Sequence, residues 1–213
     1  MSIKNTKTGK TFKSGWRNDT AECVLPVLNP VSKFSTDNNG VVLVLPAVSS
    51  TGASSVTGTM YFGVGTQSNN ATGSATIYGT DSYGDFAQTT YSGTSFTYGF
   101  LDSGSNGYFF PSTIASCGSG SSASGWYCPA STTAVSVAIT GVSGVVASQS
   151  ATLSLSIANA GTLFATGHTA YSNLGAYSSG MFDIGLPFFY GRSVYVAIDG
   201  MSTPSGTGPN VAF

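Results

Sequence analysis

Hydrophobic and polar residues alternate along much of this chain in short runs, with a period of two far more often than one near 3.6. Ala134-Val135-Ser136-Val137-Ala138-Ile139 is the clearest case, matched by Ala151 to Ile157, where Leu153, Leu155 and Ile157 hold every second place. Alternation of this kind sends one strand face into a core and the other into water. Both runs are therefore predicted as half-buried strands of one antiparallel sheet, with Gly141 to Gly144 turning between them. Denser apolar runs mark deeper strands: Val41 to Leu45, closed by Pro46; Gly58 to Gly65, whose glycines point to close backbone approach; and Val194 to Gly200. Ser74 to Tyr78 and Phe86 to Tyr91 are expected to pair across the turn from Asp81 to Asp85. Ser95 to Leu101 reads as another strand, Phe182 to Phe189 as a dense apolar segment and Val211 to Phe213 as an edge strand. Pro111 to Ala115, with proline in the first turn, favours a short helix. Asn29-Pro30, Asp37-Asn38-Asn39-Gly40, Ser49 to Ser55 and Gly206 to Pro209 supply turns and loops. No fixed-period repeat interrupts this pattern. The fold class is all-β, with short helices at most.

Composition narrows the function classes. The chain has 213 residues, of which 7% are charged against about 25% in ordinary domains, so Ser, Thr, Gly, Asn and Tyr supply the polar surface. Of the basic residues, Lys4, Lys7, Lys10, Lys13 and Arg17 crowd the start, and only Lys33 and Arg192 follow. The body lacks a basic patch to neutralise phosphates, which argues against a nucleic-acid partner. No run approaches the roughly eighteen apolar residues of a membrane span, and the start lacks the apolar core of a secretory signal. Residues 1–20 read as a polar lead-in without fixed structure, and residues 21–213 as one β lobe.

Cys117 and Cys128 bracket the Gly/Ser-rich loop 118–125; a disulfide there would add up to roughly 3 kcal/mol by restricting the unfolded chain. Cys23 is left without a partner of its own, which suggests a partner outside the chain or a free thiol; three reduced, inert cysteines are the alternative. With the Lys-poor surface, the bridge points to an extracytoplasmic location (periplasm, cell surface or secreted). A zinc site is disfavoured by one His and no C-x-x-C pair, and dinucleotide binding by a lone Gly63-x-Gly65, so no cofactor is expected. The sequons at Asn18 and Asn70 would matter only in a glycosylating pathway.

The chemistry-bearing stretch is Gly99-Phe100-Leu101-Asp102-Ser103-Gly104-Ser105-Asn106, an apolar strand delivering one carboxylate into a Ser/Gly turn. Asp102 is either a turn cap, accepting the amides that follow it, or half of an acid–base pair. Serine hydrolysis has little support, because Ser103 and Ser105 form no G-x-S-x-G elbow and His168 lies in a loop-like setting. Among the other acids, Asp81 and Asp85 read as solvated or turn-forming, and Asp199 as a strand-ending turn. Asp183 stands out for its apolar neighbours, although a strand-edge hydrogen bond would satisfy it.

Leu101-Asp102-Ser103-Gly104-Ser105 resembles the Asp-Thr/Ser-Gly signature of aspartic peptidases, the pepsin and retropepsin superfamily. Asp183-Ile184-Gly185-Leu186 resembles the apolar-apolar-Gly segment that crosses beside the catalytic turn in that family, and Val194 to Asp199 the strand after it. Gly58 to Gly63 is similar to the strand opening a pepsin C-terminal lobe, and Cys117–Cys128 falls where such lobes carry a disulfide. The longer runs Asp37 to Gly40, Phe62 to Asn70, Phe100 to Asn106, Trp126 to Pro129 and Phe182 to Arg192 are similar to a family of unknown function among exported bacterial proteins.

The resemblance implies a single pepsin-like lobe, a partly closed, mainly antiparallel β-barrel or sandwich. It implies Asp102 as a catalytic carboxylate, Ser103 hydrogen-bonding within the turn, Gly104 at positive φ, and Ile184-Gly185 supporting the turn. It implies no metal. In such enzymes two carboxylates about 3 Å apart share one proton. This chain has one Asp-Ser-Gly, with Ser for the commoner Thr, so the second Asp is expected from a missing N-terminal lobe or a homodimer partner, with a peptide as substrate. The rival readings are a non-catalytic cell-surface module binding peptide or glycan, and a truncated product without function. A second carboxylate within hydrogen-bond reach of Asp102 separates them.

Overall fold

The computed structural model describes residues 29–144, 147 and 149–213. The lead-in, Cys23 and the sequon at Asn18 lie outside the described residues. In chain order the first strands are β1 (Gly40–Val44), β2 (Thr59–Phe62), β3 (Ile77–Gly79), β4 (Gln88–Tyr91) and β5 (Thr94–Phe96). Next come β6 (Tyr98–Asp102), β7 (Tyr108–Phe109), β8 (Thr133–Thr140), β9 (Ser150–Ile157) and β10 (Gly175–Ala176). The last are β11 (Met181–Gly185), β12 (Ser193–Ala197), β13 (Ser202–Thr203), β14 (Gly206–Thr207) and β15 (Asn210–Ala212). One short α-helix, α1 (Ala160–Phe164), is capped by Asn159, whose side chain accepts from Thr162 N, and a few 3-10 turns complete the set. The all-β expectation holds. The sheets run β2-β1-β12-β15-β3, β10-β7-β11-β6, β5-β4-β8-β9 and the hairpin β13-β14; pairing is antiparallel except β7 with β10 and β6 with β11, and none closes into a barrel.

The period-two segments behave as their pattern dictates. β8 and β9 pair over their whole length, with Val137 opposite Leu153 and Val135 opposite Leu155. Val135, Val137, Ile139 and Ile157 are all at most 2% exposed, whereas Ser136 and Ala138 face solvent. These side chains join Phe96, Phe110, Phe182, Ile184 and Phe188 in one core. Phe182 sits at its centre, stacked on Phe110 at 4.7 Å and edge-on to Tyr91 and Phe96. A second, smaller core forms where Ala160 and Leu163 of α1 meet Ala123, Tyr171 and Leu174, and the Cys117–Cys128 disulfide lies in it.

Several local expectations are corrected. β3 and β4 do not pair with each other: β3 joins β15, and β4 joins β5 and β8, because the intervening Asp81–Asp85 turn belongs to neither sheet. The single strand expected over 95–101 is two, β5 and β6, in different sheets. Residues 111–115 form no helix, while the helix at α1 was not signalled. β15 lies inside its sheet, between β12 and β3, rather than at its edge. Residues 206 and 207 pair with 203 and 202 as a small hairpin.

The polar runs at 37–40 and 62–70 turn out to be one clasp. The buried Asn39 side chain donates to Val64 O and Ser202 O and accepts from Val64 N. Asn70, 1% exposed, accepts from Thr66 N and Gln67 N and donates to Phe62 O. Its amide is thus consumed by the fold and inaccessible to glycosylation in the folded state. Asn39→Ala would orphan one backbone amide and two carbonyls in a buried place. The variant should lose about 3 kcal/mol of stability in chemical denaturation, and a loss under 1 kcal/mol would refute the clasp.

Candidate functional site

The site is built on the parallel pair β6–β11. Their register sets Ile184 opposite Leu101 and Gly185 opposite Asp102. Leu101 and Ile184 turn into the core, Ile184 being wholly buried, which anchors the strand end carrying Asp102. Gly185 is required by space. A Cβ there would stand 2.0 Å from Gly107 O and 2.7 Å from Ser105 O, so the backbone after Asp102 folds directly onto β11. Leu186 N donates to Ser105 O at 2.7 Å and fixes that approach. Behind the same turn Trp126 packs on Phe109 at 5.6 Å and on Gly107, bringing the disulfide loop into its support.

Asp102 is half-buried. Its Oδ1 accepts from Gly104 N at 2.7 Å, as a turn cap does. Gly104 does not take positive φ; glycine is favoured there because a Cβ would press to 3.0 Å from Asp102 Oδ1. Ser103 is exposed, and the hydroxyl bond within the turn comes from Ser105 instead. Ser105 Oγ lies 2.9 Å from Asp102 Oδ2 and 2.7 Å from Asp183 Oδ2, so one hydroxyl bridges two carboxyl groups. Asp183 is 5% exposed on the central strand β11, and its Oδ1 has no hydrogen-bond partner. The expected strand-edge bond is therefore absent: β11 has β6 on one side and β7 on the other. A cavity of about 240 Å³ lies beside Asp102, walled by Leu101, Phe189, Val196 and Val211 with Thr80, Ser103 and Asn210.

A family model described as a protein of unknown function (DUF3443) matches residues 14–213. The chain belongs to this family. Comparison with curated proteins gives no match. In this DUF3443 member the sequence signal for the bridge was partial. Asp183 was visible as an acid among apolar residues, but nothing in the sequence linked Ser105 to it, because the link depends on the β6–β11 register.

Donor counting sets the chemistry of the bridge. Ser105 has one hydroxyl hydrogen and two carboxyl neighbours, so both contacts are hydrogen bonds only if one carboxyl carries a proton. Burial pushes the Asp183 carboxyl up to about 7; a bond from Ser105 opposes this, and the charge of Asp102 adds to it. With the proton on Asp183, that acid donates to Ser105, and Ser105 donates to Asp102. Asp85, 7% exposed and paired with Phe100 on the other side of β6, is pushed up to about 6, mainly by burial and then by the charge of Asp81; a backbone bond from Gly99 opposes. Its neighbour Asp81 forms the turn that was expected, accepting from Tyr83 N and Asp85 N. His168 is half-buried in a loop, with its ring against Thr51 O. Among the described residues no cluster of His, Cys, Asp and Glu could hold a metal ion.

The sign of the pH dependence follows. Folded Asp183 keeps its proton up to about pH 7, whereas the unfolded group loses it near 3.8. The folded state holds more protons across that window, so the stabilisation is complete below the lower value and is lost as pH rises through the upper one. Asp183→Asn supplies a permanent neutral donor to Ser105. Denaturation curves at pH 4, 6 and 8 should fall with pH in the parent chain and fall less steeply in the variant, where the raised carboxyl of Asp85 still contributes; the variant should be more stable at pH 8 by on the order of 1–3 kcal/mol. An unchanged slope in Asp183→Asn would place the proton elsewhere.

Proposed function

We propose that Asp102 is the reacting carboxylate of an aspartic-type peptide-hydrolysing half-site, completed by a second lobe or a second subunit. The observation that carries this reading is the Ser105 bridge, which holds Asp102 at the end of a strand, beside a cavity, with a buried acid behind it. Asp183 is too buried to meet a substrate, so its place is behind Asp102 and the second substrate-facing acid comes from the partner. Asp102 takes a proton from a bound water as the water oxygen bonds to the scissile carbonyl carbon. The partner acid protonates the carbonyl oxygen; collapse of the tetrahedral intermediate then breaks the C–N bond, with a proton passing to the departing nitrogen. The family carries no assigned function, so support comes from these residues and from the resemblance of Asp102-Ser103-Gly104 and Ile184-Gly185 to the peptidase pattern. The disulfide supports an oxidising, extracytoplasmic setting.

A second reading, a non-catalytic module binding peptide or glycan, is favoured by three exposed tyrosines, Tyr83, Tyr98 and Tyr177. The test uses monomeric and dimeric fractions of this chain, and any longer gene product bearing a preceding lobe, against a peptide library between pH 3 and 7. Cleavage should appear only in the dimeric or two-lobed material and fall at least a hundredfold in Asp102→Asn. Cleavage by the monomer, or by Asp102→Asn, would overturn the half-site. Peptide or glycan binding without cleavage, unchanged in Asp102→Asn, would favour the second reading.

A further inference from the structure

β9 leaves one side of its backbone open. Gly141 N donates to Gln149 O in the register that joins β8 to β9, which sets the phase of the ladder: Ala151, Leu153, Leu155 and Ile157 bond to β8. The amides and carbonyls of Ser150, Thr152, Ser154 and Ser156 point the other way, and among the described residues nothing bonds to them. Ala158, next in the same phase, does find a partner, donating to Asn173 O. The open stretch is thus the strand itself.

Proteins block open edges with charge, proline, a bulge, short length or cover. The other sheet edges here are so treated. Phe86 N donates to Gly99 O over the edge of β6, Val142 N to Gly79 O over β3 and Tyr127 N to Gly175 O over β10. β2 has four residues, with Phe62 O taken by Asn70, and β5 has three. β9 has eight residues and pairs with β8 without a bulge, and no strand of its sheet contains a charged residue or a proline. An edge in this state fits a strand from a partner.

Self-complementarity picks the partner. A second β9 can lie antiparallel beside the first with Leu153 opposite its own counterpart. Ser150 then faces the second copy's Ser156, and Thr152 its Ser154, so every open amide and carbonyl meets one, for about eight hydrogen bonds. Paired positions share the same parity, so Ala151 and Leu155 meet on the core side and the hydroxyl-bearing residues meet on the outer side. A peptide from another protein could bond the same backbone; a second copy brings an edge of equal length with the same need for cover.

We infer that β9 is the interface through which two copies of this chain pair, joining their four-stranded sheets into one about a two-fold axis at Leu153. The pairing does not rest on the peptidase reading: β9 and Asp102 belong to different sheets, and the test reads association rather than cleavage.

Sedimentation of the unmodified chain between about 1 μM and 1 mM should show a dimer, with hydrogen exchange slow at the amides of Thr152, Ser154 and Ser156 in the dimer and fast in any monomer. Thr152→Lys with Ser154→Lys sets like charges opposite each other across the axis and should weaken the dimer on the order of a hundredfold. Thr152→Lys with Ser154→Asp sets opposite charges there and should restore it. A monomer at every concentration, or a dimer whose three amides exchange freely, would overturn the pairing. So would amides already protected in a monomer, since the edge would then be covered within one chain. A folded Lys/Asp variant no more dimeric than the Lys/Lys one would overturn the register. The measurements on the unmodified chain decide the pairing even if a variant misfolds.

Discussion

Two backbones pass each other at Gly185 with no room for a side chain between them. The loop that follows Asp102 folds so that Gly107 O and Ser105 O occupy the position a Cβ at 185 would need. That contact ties a strand end to a turn and to the strand beside it, and it sets the distance from Ser105 to Asp183. If the two chains separated by one side chain, the hydroxyl would no longer reach both acids. The parallel register of β6 and β11 is held from the other face by Leu101, Phe182 and Ile184, so core packing and site geometry are the two faces of one sheet.

The burial of Asp183 has the same origin. A residue on a central strand cannot lean into solvent, and the alternation that buries Phe182 and Ile184 on one face leaves Asp183 on the other, beneath the turn that Trp126 and Phe109 support. An acid so placed must find a hydrogen bond or keep its proton. The arrangement supplies one partner and leaves one oxygen without any, which favours the neutral form.

Much of the strand layout could be read from the sequence, where a side-chain period of two is a local property. β8 and β9 are the best case, since Val135, Val137, Leu153 and Leu155 state their own burial. Pairing was harder. Which strand lies beside β3 or β15 depends on contacts between residues far apart in the chain, and no local pattern carries that information. Asp102 was visible because it ends an apolar run in a Ser/Gly turn. Ser103 and Ser105 both look like turn serines until the turn is folded, and only the fold brings Ser105 to the two acids. The Asn39 and Asn70 clasp hid for a related reason: polar runs rich in Asn and Gly read as surface turns, yet here the amides replace backbone partners inside the fold.

The interior position of β15 has a consequence for how the chain assembles. Residues 210–212 separate β3 from β12, so the five-stranded sheet cannot be completed until they are in place. β1 meanwhile waits for β12, which lies some 150 residues downstream. Closing such long loops precedes the contacts that reward it, a topology associated with slow folding and with exposed strand edges along the way. A ribosome would have to release nearly all of the described chain before this sheet could form, and during that interval Val42, Tyr78 and Val194 would stand uncovered.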